Sequence, residues 1–260
     1  MKEELLVQKS ERRNDFDKPF ISVIIAVYNG ADTMRNCIDS VVNQTYQNKE
    51  LIIIDGGSTD GTEDILKENA GNIAYWESKK DRGIAHAWNK ALGKATGDWV
   101  IFIGSDDKIA NENVFSDMCS HLSVNTTADV VYGKLIFRAE GRKDIILGGE
   151  WDEKKFRRRM TIPHPAAFQK RSCFNKVGTF DESYRIALDY ELLLRVHGLK
   201  CKHVNSIVTI MAASGLSSTQ YTKSLFEAYR AQRAHGVLSP PAALIWLIYY
   251  SIKSNLNKSR

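Results

Sequence analysis

The chain has 260 residues, 43% of them hydrophobic and 10% aromatic, with 36 Lys and Arg against 31 Asp and Glu for a net charge of +5. That is enough apolar material to bury a large core, as one domain or as two halves sharing an interface, and it excludes a disordered chain. The positive surplus is too mild and too dispersed to indicate nucleic-acid binding, and the longest apolar run, Ala242 to Tyr250, falls well short of the roughly 20 residues that cross a bilayer.

Met1 to Lys18 is polar and mixed in charge, without the apolar core and cleavage site of a secretory signal, so residues 1–19 read as an extension and the protein is expected in the cytosol. Phe20 to Val27 (FISVIIAV) is a near-continuous β-branched run, the pattern of a strand buried on both faces of a parallel sheet. Met34, Cys37, Ile38, Val41 and Val42 follow at helical spacing, and the short apolar run Leu51 to Ile54 completes a β-α-β unit. The rhythm continues through a helix near Glu63 to Asn69, a strand near Ile73 to Trp76, a helix from Ile84 to Lys94 and the strand Trp99 to Ile103. Such alternation predicts an α/β fold, a mostly parallel sheet with helices on both faces and a ligand crevice at the carboxyl ends of its strands.

From Asp129 onward the pattern changes to β-rich segments at Val130 to Phe137 and Asp144 to Leu147, then an irregular stretch, then a helix from Asp189 to Val196. This suggests an acceptor-side half, residues 108–215, built onto a nucleotide-binding half, residues 20–107. The remaining segment, residues 216–260, reads as helices over 221–235 and 240–256, separated by Gly236 and Ser239-Pro240-Pro241. The second sets Trp246, Tyr249 and Tyr250 beside a basic end, which suits either the headgroup layer of an anionic membrane or packing on the core.

The chemistry gathers at strand ends. Asp106 and Asp107 follow the buried run Trp99 to Ser105, where two adjacent carboxylates call for a hard divalent cation, a ligand hydroxyl, or both. The first strand ends in Val27-Tyr28-Asn29-Gly30 and the second in Asp55-Gly56-Gly57-Ser58-Thr59-Asp60-Gly61-Thr62, where glycines let backbone approach a ligand and a carboxylate can accept from a base or ribose. Asp60 with Glu63 fits a capping box, whereas Asp55, directly after three isoleucines, points to function. Asp81-Arg82-Gly83 precedes a helix whose first turn could face an anion, with Arg82 a phosphate-contact candidate and Asp81 equally well a cap. Neither a GxGxxG fingerprint nor a GxxxxGK[ST] loop follows either strand, which disfavours dehydrogenases and NTPases. Cys37, Cys119, Cys173 and Cys201 show no metal-ligand spacing and are expected to be reduced and without a chemical role.

The ordered set VYNG (27–30), DGGSTDGT (55–62), DRGIAHAWNKAL (81–92), GDWVIFIGSDD (97–107) and FDESYRIALDYELLLR (180–195) resembles the family 2 glycosyltransferases, inverting enzymes with the GT-A fold, over roughly residues 20–210. The resemblance implies a catalytic domain over 20–215, with a nucleotide-binding set of Val27, Tyr28, Asn29, Asp55, Asp81, Arg82, Gly83, Ser105 and Asp106. It also implies Mn²⁺ or Mg²⁺ on Asp106 and Asp107, although Gly104 stands where many members carry Asp. By the same resemblance Asp189, in Leu188-Asp189-Tyr190-Glu191, is the base that takes the acceptor proton, where a helix N-cap is the other reading. Glu191 and Arg195 are expected to form a helix-surface ion pair. His164, pinned between Pro163 and Pro165, and Trp151 are placed on the acceptor or diphosphate side, and Arg157-Arg158-Arg159 is either a phosphate contact or a solvated face.

The leading expectation is therefore a metal-dependent inverting transferase moving sugar from a nucleotide-sugar donor, UDP-linked, to a glycan or lipid-linked acceptor in bacterial surface polysaccharide synthesis. Its place would be the cytoplasm, at the inner face of the membrane if the last helix binds lipid. A sugar nucleotidyltransferase, and a nucleotide-sugar-binding assembly protein without turnover, are the competing readings.

Overall fold

The computed structural model describes residues 18–125, 127–139, 141–196, 198–212 and 220–238. The expected helix over 240–256 and nearly all of the extension over 1–19 lie outside them.

The first strand, β1 (Ile21–Val27), is buried along its length, as its unbroken apolar run requires. Helix α1 (Ala31–Val42) turns Met34, Cys37, Ile38 and Val41 onto the sheet, and β2 (Lys49–Asp55) pairs parallel with β1, setting Val27 beside Asp55. Helix α2 (Thr62–Glu68), β3 (Tyr75–Ser78), α3 (Ile84–Leu92) and β4 (Trp99–Gly104) complete the first half. Strand β3 pairs parallel with β2, and β4 parallel with the free edge of β1. The strand order β3-β2-β1-β4 brings the ends of β1, β2 and β4 to one edge.

The second half comprises β5 (Lys108–Ile109), α4 (Val114–Val124), β6 (Val130–Arg138), β7 (Ile145–Leu147), α5 (Glu153–Arg158), β8 (Ala167–Lys170), α6 (Arg171–Val177), α7 (Leu188–Leu194), β9 (Cys201–Ala212) and α8 (Tyr221–Ala234). Its strands extend the same sheet as β4-β8-β6-β9-β5, with β7 alongside β6. Strand β8 runs antiparallel between β4 and β6, and β9 runs parallel to β6 past a register shift near Lys134.

Strand alternation divides the core in two. On one face of the sheet Val23, Ile25, Ile53, Ile101 and Ile103 pack under α1 and α4. On the other, Ile24, Ile52, Ile54, Val100 and Phe102 pack under α3, α6 and α7. Among the described residues no helix is long and apolar enough to cross a membrane, and all four cysteines are free.

Candidate active site

The loops after β1 and β2 are tied into one unit by side chains of the second. Asn29 adopts a left-handed φ of 51°, a conformation that asparagine tolerates better than most residues. Its amide donates to Ser58 Oγ at 2.7 Å while its Oδ1 accepts from the Thr59 amide at 3.0 Å. Asp60 is not the N-cap residue of α2, which is Gly61, yet its Oδ1 accepts from the Thr62 amide at the start of that helix at 3.1 Å. Asp60 Oδ2 also accepts from the Ala31 amide at 2.9 Å, satisfying the start of α1. The Thr62 hydroxyl and then that amide hold the Asp60 carboxyl below the ordinary carboxylate range.

Asp55 is fully buried at the end of β2. Its carboxylate accepts from the Ser58 amide at 3.0 Å, from the Ser58 hydroxyl, and from Ser78 Oγ at 2.5 Å. Serine hydroxyls, not cations, therefore receive it. Asp81 lies against the same loop, where a Cβ on Gly56 would come within 3.0 Å of its Oδ2, and its Oδ1 accepts from the Gly83 amide at 2.8 Å. Asp81 thus turns the chain into α3 while facing the Asp55 loop. Arg82, read as a phosphate contact, is paired through Nε and Nη2 with Glu182 at 2.8 and 3.1 Å. Arg185 Nη1 donates to the Arg82 carbonyl at 2.6 Å, and a Cβ on Gly83 would sit 2.5 Å from that nitrogen.

At the end of β4 the chain turns back on itself. Ser105 comes close to the first loop, its Oγ 3.2 Å from where a Gly30 Cβ would stand. A Cβ on Gly104 would lie 2.8 Å from Asp106 Oδ1 and 2.9 Å from Asp107 Oδ2, so both carboxylates fold over the space that glycine leaves. Asp107 is 5% exposed, its Oδ2 accepts from the Gly104 amide at 3.0 Å, and its Oδ1 is buried without a hydrogen-bond partner. Burial, then the Asp106 charge, raises the Asp107 carboxyl from 3.8 to about 7, against the pull of the Gly104 and Ala212 amides. Behind the pair, the buried Cys37 thiol donates to the Gly104 carbonyl at 3.4 Å and is pushed well up by burial and then by the charges of Asp107 and Asp106. A cleft of about 530 Å³ opens here, lined by Asp106, Asp107, Asn36, Asp39, Ser40 and Arg138 among others. Asp55, Asp81, Arg82 and Asp189 do not line it.

The residues expected on the acceptor side lie on the α3 face. Asp189 is half-buried in the first turn of α7, where the N-cap is Ala187, so the N-cap reading of Asp189 does not hold. Its Oδ1 accepts from the next amide, Tyr190, at 2.8 Å. His164 is buried, its ring stacked on Phe102 at a centroid distance of 5.5 Å and tilted against Trp88 at 5.2 Å. Its Nε2 lies 2.8 Å from Gln169 Nε2, and since an amide nitrogen only donates, the ring accepts there as a neutral imidazole. Burial lowers its pKa, with the Asp189 charge working the other way, which places that carboxylate within electrostatic reach. Trp151 packs against Phe156 at 5.2 Å. Arg158 and Arg159 are exposed, as a solvated face would be.

Glu191 and Arg195 do pair, at 3.0 Å, but not on the surface: Glu191 is 4% exposed, and its other oxygen lies 2.9 Å from His235 Nε2 on the segment after α8. The helix face expected to meet solvent is covered by α8. Sequence reasoning also passed over Ser78, Arg185, Glu182 and Glu227, whose partners lie from 23 to 103 positions away. Of the Asp55 partners, only Ser58 carried a local signal, in the DGGS turn.

The sequence model described as "Glycosyl transferase family 2" matches residues 22–180. A PGL/p-HBAD biosynthesis glycosyltransferase of Mycobacterium bovis is 31% identical over 68% of this chain and 69% of its own length. The glycosyltransferase GlyA of Streptococcus pneumoniae is 29% identical over 66% of this chain and 25% of its own. Among solved structures, S. aureus TarS 1-349 in complex with UDP-GlcNAc superposes with a TM-score of 0.63 at 17% identity, over 82% of this chain and 66% of that one. The chain thus spans just under two thirds of that TarS fragment. The mannosyltransferase PcManGT from Pyrobaculum calidifontis, in complex with GDP-Man and Mn²⁺, gives a TM-score of 0.61 at 18% identity over 90% of this chain and 80% of its own. The curled α/β sheet is therefore the GT-A-type fold of those neighbours, and the chain belongs to glycosyl transferase family 2 as a glycosyltransferase.

Proposed function

We propose that this enzyme moves a sugar from a UDP-linked donor to a hydroxyl of a glycan or lipid-linked acceptor, with inversion and with a divalent cation. Residues 20–107 take the donor and residues 108–215 the acceptor. The observation that carries the reading is the pair at the end of β4: a buried carboxylate with an unpartnered oxygen, next to a second carboxylate, at the edge that also holds Asp55. Removing such charge from water is unfavourable without a cation, and oxygen ligands suit a hard one. Among the described residues no cluster of three or more Asp, Glu, His or Cys forms a cage, which fits a cation held by one or two carboxylates together with phosphate oxygens.

In this reading Asp106, the more exposed of the two, and Asp107 hold Mn²⁺ or Mg²⁺, which when bound offsets the charge gathering on the departing diphosphate. Asp55, fixed by Ser58 and Ser78, presents a fixed acceptor to the nucleobase, flanked by Val27, Tyr28, Asn29 and Ser105. Asp81 and Gly83 line the diphosphate side. Asp189 accepts the proton of the acceptor hydroxyl as its oxygen attacks the anomeric carbon, and the bond to the diphosphate oxygen breaks on the opposite side, so the configuration inverts. The neutral, buried His164, on the acceptor or diphosphate side, lies within electrostatic reach of Asp189. TarS bound to UDP-GlcNAc favours UDP, and PcManGT bound to GDP-Man and Mn²⁺ makes GDP the comparison to run. A lipid-linked acceptor at the inner face of a membrane, in surface polysaccharide synthesis, rests on the aromatic and basic sequence of residues 240–256.

A thermal-shift screen of UDP and GDP, each with and without Mn²⁺, tests the reading. The expected result is a UDP-selective rise of several degrees that needs Mn²⁺ and disappears in Asp106→Ala. A rise that ignores the cation, or that survives Asp106→Ala, would remove the metal from the proposal.

A further inference from the structure

The residues that lead into helix α7, Arg185, Ile186 and Ala187 at its N-cap, carry amides that stand before the helix and need an acceptor from elsewhere. They are received by a residue about forty positions later. Glu227, on α8, accepts from the Arg185 amide at 3.0 Å, from the Ile186 amide at 2.8 Å and from the Ala187 amide at 3.0 Å. One carboxylate thus gathers three consecutive N–H groups, two residues before Asp189. The same helix grips α7 and the segment before it elsewhere. Arg230 donates to Ser183 Oγ at 2.7 Å and lies 3.7 Å over the Tyr184 ring, and Gln232 donates to Tyr190 Oη at 2.9 Å. In the other direction the Arg185 side chain crosses to the Arg82 carbonyl at 2.6 Å, directly before Gly83 and α3.

We infer that Glu227 is a positioning residue: with Arg185 it forms a strut that holds the Asp189 turn at a fixed distance from the donor-side turn Asp81-Arg82-Gly83. The inference rests on the reading of Asp189 as the base. Charge-assisted bonds from three amides are stronger than neutral ones and fix the segment that delivers the chain into α7. A base displaced by about 1 Å can lose on the order of 10²-fold in rate. Gly83 belongs to the same device, since a methyl group there would push the Arg185 guanidinium off the carbonyl.

The test uses the full chain as Glu227→Gln, Arg185→Ala and Asp189→Asn, with release of UDP from UDP-GlcNAc and UDP-glucose and of GDP from GDP-mannose in Mn²⁺, and amide hydrogen exchange on each protein. Glu227→Gln keeps the shape but cannot serve three amides as a charged acceptor. Its turnover number is expected to fall at least tenfold while KM for the donor stays within about threefold, and exchange at 185–190 is expected to quicken at least tenfold. Arg185→Ala should quicken exchange at 82–86 without affecting α8. A merely structural Glu227 would instead lower the thermal midpoint with the turnover number of the folded protein unchanged; that outcome, or exchange quickening only within α8, overturns the strut. The two readings fail separately: an Asp189→Asn protein that still turns over removes the base, whereas a dead Asp189→Asn beside a fully active Glu227→Gln removes the strut alone. If none of these donors is turned over, the exchange pattern decides.

Discussion

The Asp107 carboxyl reaches about 7 because water is withheld from it and Asp106 stands beside it, and the sign of its effect on folding follows. The unfolded chain, with an ordinary value of 3.8, releases the proton first, so the folded state holds more protons in between and loses stability as pH rises from about 4 through 7. Asp107→Asn removes that loss. In EDTA at pH 7.5 its thermal midpoint is expected to exceed that of the wild type by several degrees, and its dependence on pH between 4 and 7 to flatten. The same substitution should weaken Mn²⁺-dependent UDP binding at least tenfold in titration calorimetry. Stability and affinity moving together would contradict the account. Gly104 is constrained by the same pair: Gly104→Asp, which restores the residue many family members carry, places a Cβ within 2.9 Å of two carboxylate oxygens. It should therefore lower the midpoint and abolish the Mn²⁺ response, whereas an unchanged protein would mean that the turn 104–107 readily opens.

Among elements, β1 to β4 and the helices between them were legible because each carries one unmixed period: apolar runs for doubly covered strands, a 3.6-residue stripe for the helices. The errors there are of boundary only, β2 starting at Lys49 and β3 shifted to Tyr75–Ser78. The second half was harder for identifiable reasons. Strands β5 and β8 are two and four residues long, too short for a period to show, and β9 mixes Lys202, His203, Asn205 and Ser206 into its run where it passes the irregular pairing with β6. Helix α4 did carry a signal, Val114, Phe115, Met118, Cys119 and Leu122 at helical spacing, that was overlooked. Of the candidate site, Asp55, Asp106 and Asp107 were visible as carboxylates at strand ends, but the partners that orient them come from other elements. The short helical turn His164–Ala166, packed on β4, β6 and β9, supports a prediction of its own. Buried and neutral, His164 has a pKa below its ordinary 6.5, so the fold keeps its full stability above 6.5 and loses it as pH falls below that value. His164→Phe should show a smaller drop in urea midpoint between pH 7.5 and 5.5 than the wild type. An equal drop would assign the acid sensitivity to other groups.

At the scale of the molecule, the division proposed near residue 107 does not fall at a break in the backbone frame. Strand β4 bonds to β1 along one edge and to β8 along the other, with Trp99 opposite Lys170 and Ile101 opposite Phe168. A hinge at that boundary would have to unzip a ladder in the middle of a buried sheet. Under the proposed function, donor and acceptor would therefore enter a frame that stays rigid, with shape change left to the turns at its rim. Small-angle scattering should accordingly give the same radius of gyration with and without UDP and Mn²⁺, unlike enzymes whose lobes clamp shut on their substrate.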